Sequence, residues 1–443
     1  MCKQAKPWKR VLWVASLLAL MALLTRCSNL SRQEADTVLV DSPLPEQDVG
    51  TTSFDSPLAT PTAEAMSYIP TTLPFPTSLP TPVVTPFPTA QPPIIPLLSE
   101  PASKPFTIVF PDGNVIRAIN SDGTDERVLI DIRARQPLFL ASEKVAVDGR
   151  EWGSISPDGK RLALVLSNVE SWESLPKGER VEFSIHLFDL AMGDLKLLVQ
   201  GGVEPVWSPD GDRIAYRSTK TFGLWIMDVS TGKTREIYAV DRENEHYVTD
   251  IDWAPDGKRL VFLDKVFRQS VAMLAIDADG TEHASMLVSP SVHWPSFPKW
   301  SPDGDEIMFI SPAGKSSGPL NDYNLWVMNS DGTDQIQLTQ DINVSAGLPR
   351  WSPDGHWIAF AGTLGYEELE PFTDLWLVDR AGSELKRLTS NAVNATNEGM
   401  PAWSPDGARI IFDRDGNEVW MISLADGVQT KLFSITADFF IAR

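Results

Sequence analysis

Three short motifs in the sequence resemble catalytic or ligand-binding signatures, but none has the surroundings that its chemistry requires. GKSSG at 314–318 has the form of a serine nucleophile turn, yet that turn must join a strand to a helix, and PLNDYN follows it here. STGKT at 230–234 resembles a phosphate-binding loop, but Met227 replaces its first glycine. DRDGNE at 413–418 lacks the ligand spacing of a calcium loop. We therefore predict no catalytic residue from these motifs.

Histidine and cysteine show no metal-ligand pattern. The five histidines include no His-x-x-x-His or His-Glu pair, although His246 and His293 lie in two loops that a fold can bring together. Both cysteines, Cys2 and Cys27, precede residue 30, so the rest of the chain has no disulfide and no cysteine nucleophile. We therefore predict neither a metal nor a cofactor.

An aspartate recurs within the motif W-S-P-D-G and its close variants. Proline presets the first position of a tight turn, aspartate tolerates the second, and glycine supplies a left-handed residue. Spacings of 52, 46, 47, 51 and 52 residues predict a turn that is built repeatedly, not a set of catalytic carboxylates. The six aspartates are Asp158, Asp210, Asp256, Asp303, Asp354 and Asp406.

The repeat predicts an all-β chain. A second hairpin, such as LWVMNSDGT at 325–333, follows each first one, and two hairpins per period predict blades of four antiparallel strands in a β-propeller. An additional second hairpin at 114–130 gives seven second hairpins against six first hairpins. We predict that TADFFIAR at 436–443 supplies the missing innermost strand and closes seven blades into a ring. Six blades plus a separate hairpin is the alternative.

Tryptophan also recurs at fixed positions of the repeat. Because a buried indole removes a large apolar surface from water, a tryptophan at the same place in each unit predicts packing between blades and not a ligand platform. The tryptophans that directly precede the turn are Trp207, Trp253, Trp300, Trp351 and Trp403.

These motifs resemble the TolB-like, WD-like "PD" β-propeller repeats, which also occur in the propellers of prolyl-oligopeptidase and tricorn-type enzymes. The resemblance covers residues 105–443. It implies a propeller that docks partners or substrates on one face, and it says little about the ligand. Since the sequence ends with the repeats, we expect no α/β-hydrolase domain of the kind that the peptidase relatives carry.

Residues 1–27 have the features of a targeting segment. A basic head is followed by the apolar run VLWVASLLALMALL at 11–24, which is shorter than the roughly 20 residues of a spanning helix and favours a signal peptide. LLTRC resembles a bacterial lipobox with Cys27 as the lipidation site, although Arg26 departs from that pattern. The alternative is an uncleaved, short membrane anchor. Either interpretation predicts an exported bacterial protein, tethered to a membrane at the cell surface or in the periplasm.

A Pro/Thr/Ser-rich segment at 28–104 separates this anchor from the propeller. Proline removes backbone donors and fixes φ, so we predict a disordered, extended linker. The formal net charge of −21 argues against a nucleic-acid partner, because phosphate contacts need a lysine- and arginine-rich surface. We expect a monomer.

The first and third connections of each blade are uniformly short, whereas the long and irregular segments all fall at the other end, here called the long-loop face. We predict a non-catalytic binding scaffold that docks an envelope or extracellular protein, or a glycan, on this face. The alternative is an enzyme that acts on glycans or peptides at the channel mouth. The candidate binding residues are Trp172, His246, Tyr247, His293, Trp294, Tyr323, Tyr366, Glu367 and Phe372.

Overall fold

The W-S-P-D-G motif forms the turn between the first two strands of a blade, as the sequence predicts. In five copies the serine hydroxyl donates a hydrogen bond of 2.5–2.6 Å to the aspartate. The same carboxylate oxygen accepts the backbone N–H two residues further on, at 3.0–3.2 Å. The motif glycine is left-handed in all six copies, with φ between 69° and 79°. Ala254 replaces the serine in one copy, where the N–H of Lys258 still donates to Asp256 at 2.9 Å.

The computed structural model describes the repeats and leaves gaps at several connections. All described residues belong to one compact unit, Pro76–Arg443. No helix within the described ranges has the length and apolar composition that a membrane crossing requires. These ranges are 105–112, 114–135, 138–140, 153–169, 181–241, 245–266, 270–281, 283–289, 294–312, 323–340, 342–344, 348–364, 373–390, 397–434 and 441–442.

Within the described ranges, thirty strands form seven antiparallel sheets, and Ile132–Arg135 form one short 3-10 helix. Blade 1 contains β1 (Thr107–Asp112), β2 (Val115–Asn120) and β3 (Arg127–Asp131). Blade 2 contains β4 (Phe139–Leu140), β5 (Gly153–Ile155), β6 (Arg161–Ser167), β7 (Phe183–Asp189) and β8 (Leu195–Gln200). Blade 3 contains β9 (Gly202–Trp207), β10 (Arg213–Ser218), β11 (Leu224–Asp228) and β12 (Thr234–Tyr238). Blade 4 contains β13 (His246–Trp253), β14 (Arg259–Val266), β15 (Ser270–Asp277) and β16 (Ser285–Val288).

The remaining blades follow the same plan. Blade 5 contains β17 (Ser296–Trp300), β18 (Glu306–Pro312), β19 (Tyr323–Asn329) and β20 (Ile336–Gln337). Blade 6 contains β21 (Ile342–Asn343), β22 (Arg350–Trp351), β23 (Trp357–Leu364), β24 (Asp374–Asp379) and β25 (Leu385–Arg387). Blade 7 contains β26 (Glu398–Trp403), β27 (Arg409–Arg414), β28 (Glu418–Ser423) and β29 (Gln429–Ser434), and β30 is Ile441–Ala442. In blades 2 and 6 the innermost strand is split into two short pieces that pair with the same neighbour.

The last strand closes the ring. β30 pairs antiparallel with β1, with Ala442 opposite Ile108 and Ile441 opposite Val109. The first sheet therefore takes its innermost strand from the C-terminal segment, which confirms the predicted seven-bladed closure and excludes six blades plus a hairpin. Blades 7 and 1 also meet through Phe433 and Phe110, whose rings stack at 4.2 Å between centroids.

The core lies between the faces of adjacent blades. The fourth residue of the second strand is aromatic in most blades and is buried at 0–3% exposure. Burial of each such ring stabilises the fold by about 2–3 kcal/mol. These residues are Phe110, Tyr216, Phe262, Phe309, Phe360 and Phe412.

Four of the five motif tryptophans connect their blade to the one before it by a hydrogen bond. The indole N–H of Trp207 donates to the carbonyl of Ser154 at 3.0 Å, and that of Trp253 donates to Val206 at 3.1 Å. Trp351 of blade 6 and Trp403 of blade 7 repeat the contact at 3.3 and 3.0 Å. In each case the carbonyl that accepts the hydrogen bond belongs to the residue directly before the motif tryptophan position in the neighbouring blade. The predicted packing role of these tryptophans is therefore confirmed.

An arginine covers most of these indoles. Arg213 lies over Trp253 with its guanidinium carbon 4.9 Å from the ring centroid, and Arg161 and Arg259 make the same contact with the next tryptophan at 4.8 Å. Blade 5 has Glu306 at the equivalent position. There Arg380, from the following blade, lies 5.8 Å over Trp351 and pairs with both Glu306 and Asp303.

We expect Trp253→Phe to lower the free energy of unfolding by about 2–4 kcal/mol, because it leaves the Val206 carbonyl without its indole donor and removes buried volume. Urea unfolding followed by far-UV circular dichroism measures this loss. Trp294→Phe is the matched control, since Trp294 is 47% exposed, and should change stability by less than about 0.5 kcal/mol. Equal losses in both variants would contradict the connecting role.

The ion pair between Arg380 and Asp303 predicts a defined pH dependence. Arg380 holds the pKa of Asp303 below its usual 3.8, so the pair stabilises the fold above that pH and is lost as the pH falls through the lower folded-state pKa. Arg380→Gln should cost about 0.5–1 kcal/mol at pH 7, a small value because both side chains are partly exposed. The urea midpoints of the variant and the wild type should move closer together as the pH falls from 4 to 2; a constant difference across that range would refute the assignment.

Candidate functional site

The innermost strands carry a repeated backbone irregularity. Three residues before the motif tryptophan, a non-glycine residue is left-handed in four blades: Glu204, Asp250, Phe297 and Met400 have φ of 54°, 53°, 53° and 46°. A β-bulge interrupts the pairing of the first and second strands at each of these places. A bulge changes the direction in which the following side chains point, and bulges are frequent beside active sites.

A cavity lies among the inner strands of blades 3 to 6, where three of these bulges occur. Its volume is about 660 Å³, a figure that includes space open to solvent. Its lining residues lie in the middle and toward the ends of the inner strands, and Lys265, near the end of β14, extends the cavity toward the long-loop face. The lining consists of Glu204, Val206, Thr249, Asp250, Ile251, Lys265, Phe297, Pro298, Lys299, Leu348 and Arg350.

Glu204 is the most deeply placed carboxylate of the cavity. Its Oε1 lies 2.7 Å from Arg217 Nη2, and the two side chains are 11% and 8% exposed. Burial raises the pKa of Glu204, Arg217 opposes that shift, and the nearby Asp250 adds to it. Thr249 also hydrogen-bonds to the Glu204 carboxylate. Arg217 is therefore the charge partner that Glu204 needs in this low-polarity position.

Two further ion pairs line the cavity. Lys265 Nζ lies 3.5 Å from Asp250 within blade 4. Lys299 Nζ lies 3.0 Å from Asp252, and the other oxygen of Asp252 accepts the backbone N–H of Trp300 at 2.9 Å. This second pair links blade 4 to blade 5. Most charged groups of the cavity are thus held in place by one another.

Arg350 is the exception. Its Nη1 donates to the carbonyl of Pro349 at 3.3 Å, and its side chain is half-buried in the cavity wall. Among the residues that the structure describes, no carboxylate lies within ion-pair distance of Arg350. The cavity therefore presents one guanidinium to a ligand.

A separate histidine–carboxylate pair lies at the start of blade 4. His246 Nδ1 is 2.9 Å from Asp264 Oδ1, and Tyr238 donates its hydroxyl to Asp264 Oδ2 at 2.7 Å. Asp264 is buried and the His246 side chain is 26% exposed. A carboxylate that holds one ring nitrogen leaves the other nitrogen available to a ligand.

The predicted binding residues occupy several positions. Tyr247 lies beneath Arg217, whose guanidinium carbon is 5.8 Å from its ring centroid, and it therefore adjoins the cavity through Arg217. Trp294 is exposed, and Tyr323 begins β19 and packs half-buried against the same apolar cluster as Phe297. The structure thus brings Tyr247 next to the cavity, whereas His246 belongs to the separate pair with Asp264. The predicted site residues Trp172, His293, Tyr366, Glu367 and Phe372 and the lipidation site Cys27 lie outside the described residues.

Sequence reasoning missed the charged residues of the inner strands. The sequence does contain a signal for them. A charged residue stands within three positions before the motif tryptophan, in an otherwise largely apolar strand, in four segments: GGVEPVW, VTDIDW, SFPKW and LPRW. Within the described ranges, no three His, Cys, Asp or Glu side chains are grouped so that they could hold a metal ion. The arrangement instead suits recognition of a charged and partly apolar ligand.

We expect Arg217→Met to lower the free energy of unfolding by about 3–5 kcal/mol at pH 7, because it strands the Glu204 carboxylate in a buried position. The combined change Glu204→Gln with Arg217→Met should recover most of that loss. Since burial raises the pKa of Glu204, the defect of the single variant should shrink as the pH falls. Thermal and urea unfolding between pH 5 and pH 8 test this; a double variant no more stable than the single one would contradict the pairing.

Comparison with known proteins agrees with this geometry. Residues 265–438 match the family model described as TolB beta propeller domain. The uncharacterised peptidase YuxL of Bacillus subtilis is 25% identical over 223 residues, which are 48% of this chain and 30% of that protein. The Tol-Pal system protein TolB of Francisella tularensis is 28% identical over 209 residues, which are 45% of this chain and 43% of that protein. The chain thus spans less than half the length of both relatives.

Among solved structures, a prolyl endopeptidase superposes with a TM-score of 0.55 at 12% identity, over 76% of this chain and 49% of that one. This likeness concerns the fold alone. The repeated turn and the seven closed sheets show that the chain forms a seven-bladed β-propeller of TolB-like repeats, of which residues 265–438 match the TolB beta propeller domain model.

Proposed function

We propose that this protein is a non-catalytic binding scaffold that recognises a partner protein at the inner-strand cavity of the long-loop face. The observation that carries the proposal is the pairing of the cavity charges. Glu204, Asp250 and Asp252 each have a cationic partner at 2.7–3.5 Å, so their positions are fixed before any ligand arrives. Fixed charges of both signs give complementarity and partner selection.

The composition of the cavity wall supports the same proposal. Apolar side chains such as Ile251, Phe297 and Leu348 alternate with the ion pairs. A mixed wall of this kind resembles the centre of a protein interface, where apolar contact and a few fixed charges act together. A general acid or base, in contrast, needs a titratable group that is free to exchange its proton with the substrate.

The proposed location is the cell envelope. The basic head, the apolar run at 11–24 and the lipobox-like LLTRC support export and tethering through Cys27. The Pro/Thr/Ser-rich segment at 28–104 then acts as a spacer between membrane and propeller. One matched relative is named as a Tol-Pal system protein, which supports the same class of role. An envelope or extracellular protein is the proposed partner, and a glycan is the alternative ligand.

A second candidate function is an enzyme that acts on glycans or peptides. The pair of His246 and Asp264, joined by Tyr238, supports it, because a carboxylate that orients a histidine is a common arrangement in proton transfer. Another matched relative is named as an uncharacterised peptidase, but the match spans 30% of that protein. Peptidase activity is therefore the less supported proposal.

Two lysines at opposite ends of β14 provide a matched test of the binding site. Lys265 lines the cavity, whereas Lys258 lies beside the turn at the other end and its side chain is 81% exposed. With the full-length chain coupled to beads, Lys265→Gln should reduce capture of a specific envelope protein by about tenfold or more, because it removes the partner of Asp250. Lys258→Gln should leave capture unchanged, and equal capture by both variants would refute the cavity as the binding site.

The same preparation separates binding from catalysis. His246→Gln should leave partner capture unchanged if the protein is a scaffold. Turnover of peptide or oligosaccharide substrates by the wild type, abolished in His246→Gln with the fold intact by circular dichroism, would replace the scaffold with the enzyme.

A further inference from the structure

The residue before the motif tryptophan occupies the same register in neighbouring blades. In each of blades 2 to 7 this residue pairs with the third residue of the second strand. Examples are the pairs Asp252–Val261, Lys299–Met308 and Arg350–Ala359. These positions follow one another around the ring of inner strands. From blade 2 to blade 7 they are Ser154, Val206, Asp252, Lys299, Arg350 and Ala402.

The charges along this row do not balance. Asp252 pairs with Lys299 of the next blade at 3.0 Å, which leaves Arg350 as the next cation in the row. The following position is Ala402, which carries no charge. Counting the cavity with its partners, Glu204, Asp250 and Asp252 give three negative charges, and Arg217, Lys265, Lys299 and Arg350 give four positive ones. Among the residues that the structure describes, the cavity thus has one cation in excess, and that cation is Arg350.

We propose that Arg350 binds the side-chain carboxylate of an acidic residue in the partner, next to an apolar residue of the same peptide segment. This proposal rests on the proposed function and specifies its ligand. A guanidinium binds a carboxylate through two parallel hydrogen bonds, so the geometry of Arg350 suits this group. A doubly charged phosphate suits the cavity less well, because the single excess charge does not balance it and three carboxylates lie nearby.

The rest of the wall favours a peptide over a sugar chain. The other charged side chains are engaged in ion pairs, and Thr249 hydrogen-bonds to Glu204, so a hydroxyl-rich ligand finds few free polar partners. The remaining wall of the cavity is largely apolar and includes Leu348, Pro298 and Phe297. An acidic residue beside an apolar residue fits both features at once.

An array of blocked hexapeptides tests this assignment with the full-length chain. Wild type should select peptides that contain Glu or Asp beside an apolar residue, and the matched Gln and Asn peptides should bind about 10- to 100-fold more weakly. Arg350→Gln should lose that preference, and Arg350→Lys should keep part of it because the charge remains. Arg127→Gln, which removes an exposed arginine of blade 1, is the control and should bind as wild type does.

The outcomes separate this inference from the proposed function. Peptide binding without acidic preference, or an acidic preference that survives in Arg350→Gln, would overturn the inference and leave the scaffold standing. Arg350-dependent binding of uronic-acid oligosaccharides with no peptide selection would overturn the peptide assignment. A wild type that is folded by circular dichroism but binds neither peptides nor an envelope partner would overturn both proposals.

Discussion

The hydrogen bond from four of the five motif indoles to the preceding blade is the interaction on which the rest of the structure depends. A four-stranded sheet cannot bury both of its faces alone, so the blades are stable only when stacked. The indole sets how closely two blades approach, because its N–H must reach one carbonyl at 3.0–3.3 Å. Three of those carbonyls belong to Val206, Lys299 and Arg350, which line the cavity. The same contact therefore holds the ring together and fixes the backbone of the binding residues.

The repeat tolerates exceptions where another group can take over the contact. In blade 5, Glu306 stands where blades 2, 3 and 4 have the arginine that covers the next tryptophan. Arg380 of blade 6 covers Trp351 in its place and forms an ion pair with Glu306. Between blades 7 and 1, Arg409 lies 4.9 Å over Phe106, which directly precedes β1. Trp300 is different, since its buried indole nitrogen has no partner among the described residues. Its backbone N–H bonds to Asp252 instead, which places that carboxylate next to Lys299.

The sequence predicted the architecture well because the repeat states it many times over. Turn aspartates, packing tryptophans and the surplus hairpin are local patterns, and from them the seven blades and their closure follow. The cavity was not predictable in the same way. Its ion pairs join residues 13–47 positions apart, some in different blades, and the bulges break the alternation from which a strand's inward-facing residues are normally deduced. The positions of the long connections therefore predicted residues such as Tyr247, which lies in β13, and Trp294, and not the charged residues within the strands.

The bulges show how the fold separates scaffold from chemistry. A left-handed non-glycine residue costs about 1–3 kcal/mol, yet the chain keeps one at the same position in four inner strands. Met400 has this conformation in blade 7, away from the residues that line the cavity, so the bulge is a property of the repeat and not of the site. What differs between blades is the side chain placed on it: glutamate, aspartate, phenylalanine or methionine. A common backbone device thus presents different groups at successive points around the centre, and changing those residues alters the ligand without altering the ring.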